Sequence, residues 1–202
     1  MDTDRMDTHG MDTDSSDLTG APSRSALGTA STWWLTALDR IEHSTQADPA
    51  VRALQKAIRS LPLGGARDLL RGRALGHPIH PVLVQVPIGC WLSAAVLDLV
   101  PGAQCGGTVL TAVGLAGVAP AAVAGWVDWA DLPPEQARVG LVHAAANAVT
   151  VTCYAIALTN RLSGRRTKGR LWSAAGLTAV AVTGALGGHV AYRQAVGAYP
   201  AG

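Results

Sequence analysis

Four of the six histidines in the 202-residue chain, His77, His80, His143 and His189, sit at the edges of long apolar runs, and Asp128 closes another. An imidazole at membrane depth is costly and ordinarily faces a bundle interior or a water-filled cavity, so such residues mark candidate sites. Two chemistries suit them. Paired imidazoles on facing helices supply the axial ligands of a b-type haem. Three or four imidazoles with a carboxylate bind zinc, copper or iron, the carboxylate either ligating or orienting a ring.

His143 and His189 are the best matched in depth, each about one turn, roughly 5–7 Å, inside the end of its apolar run. They are the expected haem ligands, with Gly140, Ala144, Gly184, Gly187 and Gly188 leaving room for a flat macrocycle. The expected metal set is His77, His80, Asp128, His143 and His189. Asn147 lies one helical turn after His143 and shares its face, so it can orient that ring or reach another helix. A proton relay or a quinone site would use the same residues. Against all of these stands a plain alternative, in which neutral imidazoles hydrogen-bond between helices as packing groups.

The run Gly76-His77-Pro78-Ile79-His80-Pro81 places each of two histidines before a proline, which disfavours the helical region and predicts extended backbone at both. In a polyproline-like segment three residues make a turn and rise ~9 Å, so the rings share a side but sit well apart. His80, adjoining the apolar run, is the one expected near a site.

The elements that position these groups follow from composition. The chain is 49% hydrophobic and only 15% charged, whereas soluble domains carry about 25% charged residues. The net charge of +2 conceals segregation: six Asp fall within residues 1–17, five charged residues fall within 81–160, and every charge after Glu135 is basic. Pro81–Val100, Thr108–Val127, Val139–Thr159 and Leu171–Val190 are each about 20 residues long, enough for a helix to cross a ~30 Å hydrocarbon layer. The prediction is an all-α integral membrane four-helix bundle. Pro87 and Pro120 fall inside spans, where membrane bundles tolerate kinks. Ala144/Ala148 and Gly184/Gly188 are small-xxx-small steps that permit close helix approach and, between copies, a homo-oligomer. Trp126, Trp129, Trp172 and Tyr192 fall at expected membrane boundaries as an aromatic belt.

Four antiparallel spans create two faces. His80, Asp128, His143 and His189 all fall at the face shared by the N-terminal region and the loop between spans two and three, here face A. The loop residues Arg161, Arg165, Arg166, Lys168 and Arg170 fall on the opposite face B. With no interleaved aromatics they read as a topology signal or lipid headgroup contact, and nucleic acid is not expected. Face A carries Arg59, Arg67, Arg71, Arg73, Arg138 and Arg193, so six basic residues oppose five and orientation stays open.

Residues 1–30 open with three Met-Asp-Thr units and lack an apolar face, predicting a disordered acidic tail rather than a signal peptide. Residues 31–75 read as two short amphipathic helices. Ser31 or Thr32 caps a helix carrying Trp34, Leu35, Leu38 and Ile41, and Asp48-Pro49 caps one carrying Val51, Leu54, Ile58 and Leu61. They suit either a membrane surface or packing on the bundle. Residues 76–198 form the four-span domain. Cys90, Cys105 and Cys153 are odd in number and widely spaced, giving no disulfide framework. Phosphate-loop, Gly-x-Ser-x-Gly and HExxH motifs are absent, so no enzyme class is indicated.

GHPIHPVLVQVPIG (76–89), GWVDW (125–129), RVGLVHAAANA (138–148) and GGHVAYRQAVG (187–197) resemble the signature regions of domain-of-unknown-function family 2231, predicted four-span membrane proteins of bacteria. The resemblance implies a bacterial cell-membrane location, which the Arg-rich, Lys-poor composition suits. Because relatives are often joined to or encoded near Rieske-type iron–sulfur domains, it also implies a redox setting with a separate iron–sulfur partner. The resulting expectation is a multi-pass membrane protein with a histidine-rich haem b or transition-metal site in electron transfer. Its rival is a cofactor-free anchor or scaffold for such a redox partner.

Overall fold

The structure, a computed structural model, describes the backbone of residues 36–198 and the side chains of 36–188. The expected disordered tail, the cap at Ser31 or Thr32, and the Trp34–Leu35 pair lie outside the described residues, as do the side chains of His189, Tyr192 and Arg193. Every regular element among the described residues is helical. Helical residues 36–43 (α1) lead through a short 3-10 turn into α2 (Asp48–Arg59), followed by α3 (Ala66–Leu70) and α4 (His80–Leu83). Then come α5 (Gln85–Leu97), α6 (Gln104–Trp129), α7 (Pro134–Leu162) and α8 (Arg166–Ala198).

Four stretches are long and apolar enough to span a membrane: His80–Leu97, Gln104–Trp129, Pro134–Leu162 and Arg166–Gly188. The first is α4 and α5 in series, and its break has a local cause. Pro87 has no N–H for the carbonyl of Leu83, and α4 ends at Leu83. Pro120 creates the same deficit in α6, yet that helix runs unbroken past it. Exposed Val86, Leu92, Val109, Val123, Val149 and Val182 turn apolar surface outward, as lipid contact requires.

Consecutive spans pack most extensively as α5–α6 and α7–α8, with α6–α7 and α5–α8 closing the ring. Its centre is one layer drawn from all four spans. Trp91 of α5 stacks on Tyr154 of α7, with ring centroids 3.9 Å apart and planes 9° from parallel. Each ring lies against a glycine on a third helix. A Cβ on Gly114 of α6 would fall 2.3 Å from Trp91 Nε1, and one on Gly176 of α8 would fall 2.7 Å from the Tyr154 ring. Small residues thus admit large rings where no hydrophobic force draws helices together.

The α7–α8 seam takes four- and three-residue steps on α7 and steps of four, three, seven and four residues on α8, the period of coiled-coil packing. On α7 it runs through His143, Asn147, Thr150, Tyr154, Ala157 and Arg161. On α8 the matching contacts are Gly169, Ser173, Gly176, Thr183 and Gly187. The expected Gly184/Gly188 step is displaced from this role, because a Cβ on either glycine would meet nothing within 4 Å. Those two residues sit one position off the seam.

The N-terminal helices pack onto the bundle. α2 buries Val51, Gln55 and Ile58, and Val51 and Ile58 share a core with Trp129, Ala130 and Ala137 at the α6–α7 turn. Leu54 and Leu61, expected on the buried stripe, are exposed. Gln55 takes the stripe instead because its amide donates to the carbonyls of Leu132 at 3.0 Å and Trp129 at 3.4 Å. Nor does Asp48 act as a cap. It is the first residue of α2, behind Ala47, and its carboxylate accepts from Arg138 Nε at 2.7 Å.

Candidate functional site

Face A gathers part of the expected set. His80 begins α4, so its backbone is helical rather than extended. Pro81 fits a helix's first turn, where its missing N–H is not needed. The ring is tied across to α6: Nδ1 donates to the Ala121 carbonyl at 2.8 Å. A Cβ on Gly125 would lie 2.8 Å from that nitrogen, so glycine there is a condition of the contact.

His143, on α7, is held on both sides. Its Nδ1 faces the Thr183 carbonyl of α8 at 3.2 Å, and its Nε2 faces Asn147 Nδ2 at 2.9 Å. A carbonyl only accepts, so the proton belongs on Nδ1 and Nε2 receives the Asn147 N–H. Asn147 also donates to the His143 carbonyl at 3.1 Å. Each nitrogen of a neutral ring therefore has its complement.

Asp128 lies in the last turn of α6, at the same end of the bundle. His77 stands apart, exposed on the loop, its Nδ1 donating to the Pro78 carbonyl at 3.1 Å. The backbone of His189 lies in α8, two residues beyond Gly187. Among the described residues no group of three or more His, Cys, Asp or Glu side chains is placed to hold a metal.

Of the small residues expected to make room for a macrocycle, Gly140 and Gly187 meet side chains of the bundle, whereas a Cβ on Gly184 or Gly188 would meet nothing within 4 Å. A Cβ on Gly140 would lie 2.5 Å from the Trp129 indole, and one on Gly187 would lie 3.1 Å from His143 Cε1. Trp129, expected in an aromatic belt, is instead buried, donates from Nε1 to the Ala137 carbonyl at 2.9 Å, and meets Trp126 edge-on. A tight turn joins α6 to α7, and the indole fills the corner it makes. A ligand atom on His143 Nε2 would take the place that Asn147 Nδ2 holds.

Two arginines counted among the charges of the two faces prove to be buried anchors. Arg138 pairs with Asp48 and also donates to the Glu42 carbonyl, fastening α1 and α2 to the start of α7. Arg138 draws the Asp48 carboxyl below the ordinary carboxylate range, through its hydrogen bond first and its charge second, with Arg52 adding to the effect. Arg161 ends α7 and clasps Asp98 at face B, Nη1 to Oδ1 at 2.8 Å and Nη2 to Oδ2 at 2.5 Å, while Nη2 also reaches Ser173 Oγ at 3.0 Å. Both side chains are almost wholly buried, at 3% and 8% exposure. Their equal depth at the same ends of spans one and three was the available signal, hidden because the apolar window stopped at Thr159.

The family profile described as "Predicted membrane protein (DUF2231)" matches residues 76–200, which take in all four spans. No curated protein and no solved structure matches the chain.

Proposed function

The chain belongs to this family of predicted membrane proteins, and from that premise we propose that it is a cofactor-free membrane scaffold that docks a redox partner such as an iron–sulfur protein. The observation that supports this reading is the closed hydrogen-bonding of His143, whose two ring nitrogens are engaged by Thr183 and Asn147. A histidine satisfied in this way cross-links helices. His80 does the same between α4 and α6. α2 is packed on the α6–α7 turn, with Arg59 Nε donating to the Ala130 carbonyl at 2.8 Å, and this supports a fixed surface on face A where a partner can seat.

The test is the absorption spectrum and metal content of the purified, detergent-solubilised chain. The scaffold reading expects no Soret band and no stoichiometric metal, together with capture of an iron–sulfur partner. A Soret band or bound metal overturns it.

A second reading, a haem b or transition-metal centre in electron transfer on His143 and His189, draws on one feature. A ring whose Nδ1 donates to a backbone carbonyl presents Nε2 as the ligand nitrogen, the usual support of metal-binding histidines. It requires Asn147 to swing aside. Under this reading His143→Ala and His189→Ala each abolish or alter the spectrum, and an unchanged spectrum in both refutes it.

A further inference from the structure

Face B holds a cavity of about 130 Å³ lined by Asp98, Gln104, Cys105, Thr108, Arg161, Arg166 and Arg170. One water needs only ~10–15 Å³ of such space, so there is room for a tetrahedral oxyanion. The charge is unbalanced. Asp98 is already neutralised by Arg161, whereas Arg166 and Arg170 form no ion pair among the described residues and leave two positive charges in surplus. They stand four residues apart at the start of α8, on one face of the helix.

Arg161 supplies an independent sign of a missing acceptor. Its side chain is 3% exposed, yet its Nε is buried with no hydrogen-bond partner. Buried donors in folded proteins are ordinarily paired. Its stem and its head each lie against a glycine: a Cβ on Gly169 would lie 2.6 Å from Arg161 Cγ, and one on Gly107 would lie 3.3 Å from Nη1. The guanidinium is thus held still beside the cavity. The Gln104 amide adds a donor, whereas the Thr108 hydroxyl already donates to the Gln104 carbonyl at 2.9 Å.

We propose that this cavity is a phosphate-binding site, with Arg166 and Arg170 as the charge-pairing groups and Arg161 as the fixed donor at its base. Its position at the ends of four membrane-length helices suits the phosphate of an anionic lipid headgroup, and the same donors take free phosphate. Guanidinium groups favour this ligand because their planar N–H fork matches phosphate oxygens.

The test uses the full chain purified in a neutral detergent. Retained lipid is read by native mass spectrometry with added phosphatidylglycerol or phosphatidylcholine. Alkylation of Cys105, which is exposed and lines the cavity, is read with each lipid and with inorganic phosphate. Phosphatidylglycerol is expected to be retained in preference and to slow Cys105 alkylation about tenfold. Arg166→Gln with Arg170→Gln should remove both effects, while Arg165→Gln with Lys168→Gln, outside the cavity, should keep them. Slowing by inorganic phosphate alone supports a soluble ligand in place of a lipid. Equal retention of both lipids with no effect of phosphate overturns the proposal. So does equal loss in the two double variants, which would mark a diffuse surface field. Unchanged melting temperatures in both variants show that the readout reflects the site.

Discussion

Arg161 and Asp98 meet through two parallel hydrogen bonds at the end of the bundle opposite the histidines, one from the last turn of α7 and one from the C-cap of α5. Because these helices are diagonal across the ring, the pair ties the two antiparallel hairpins together at face B. Trp91 and Tyr154 tie the same two helices at mid-depth.

Breaking that pair from either side strands a buried charge. Asp98→Ala and Arg161→Ala are each expected to destabilise by about 3–5 kcal/mol. A double-mutant cycle of thermal unfolding in detergent should show strong coupling, with the double variant less damaged than the two single losses added.

The central glycines are distinguishable from the outward ones. Gly114→Ala and Gly176→Ala force a methyl into the Trp91 and Tyr154 rings and should cost about 1–3 kcal/mol by overpacking. Gly184→Ala meets open space and should be neutral or stabilising by up to ~1 kcal/mol, the helix-propensity gain of alanine. The order of melting temperatures checks both.

Acid should loosen the N-terminal helices first. The Asp48 carboxyl lies below its ordinary value of 3.8 when folded, so its stabilising effect is complete above that value and is lost as pH falls through the lower folded one. Hydrogen exchange of α1 and α2 should accelerate over that range, ahead of the spans. Asp48→Asn should show the faster exchange already at neutral pH.

Asn147→Leu tests the closed histidine. It removes the donor to His143 Nε2 and leaves a half-buried acceptor unmet, at about 1 kcal/mol. Asn147→Gln, whose longer amide misplaces the donor, should fall between wild type and leucine in thermal unfolding.

The number and order of the spans were legible because a bilayer-crossing helix must be apolar for about 20 residues, and Asp98 is the one charged side chain inside four such windows. The amphipathic character of α2 was legible from its period. Its partner was not, since the same stripe suits lipid or protein, and Gln55 joins the stripe only because two carbonyls of the α6–α7 turn lie above it. The convergence on face A was legible by counting alternating spans. Counting assigns depth but not azimuth, and the two prolines already set His77 apart from His80: one is exposed and the other is bonded to α6.

By itself, then, the sequence determined the all-helical membrane architecture, the end of the bundle at which each polar residue lies, and the family. Only the tertiary structure decided which residues meet: His143 with Asn147 and Thr183, Arg161 with Asp98, Arg138 with Asp48. Hydropathy fixes where a residue sits along the membrane normal. Its direction around the helix is set by how rings and glycines interlock between neighbours, and that depends on all four helices at once.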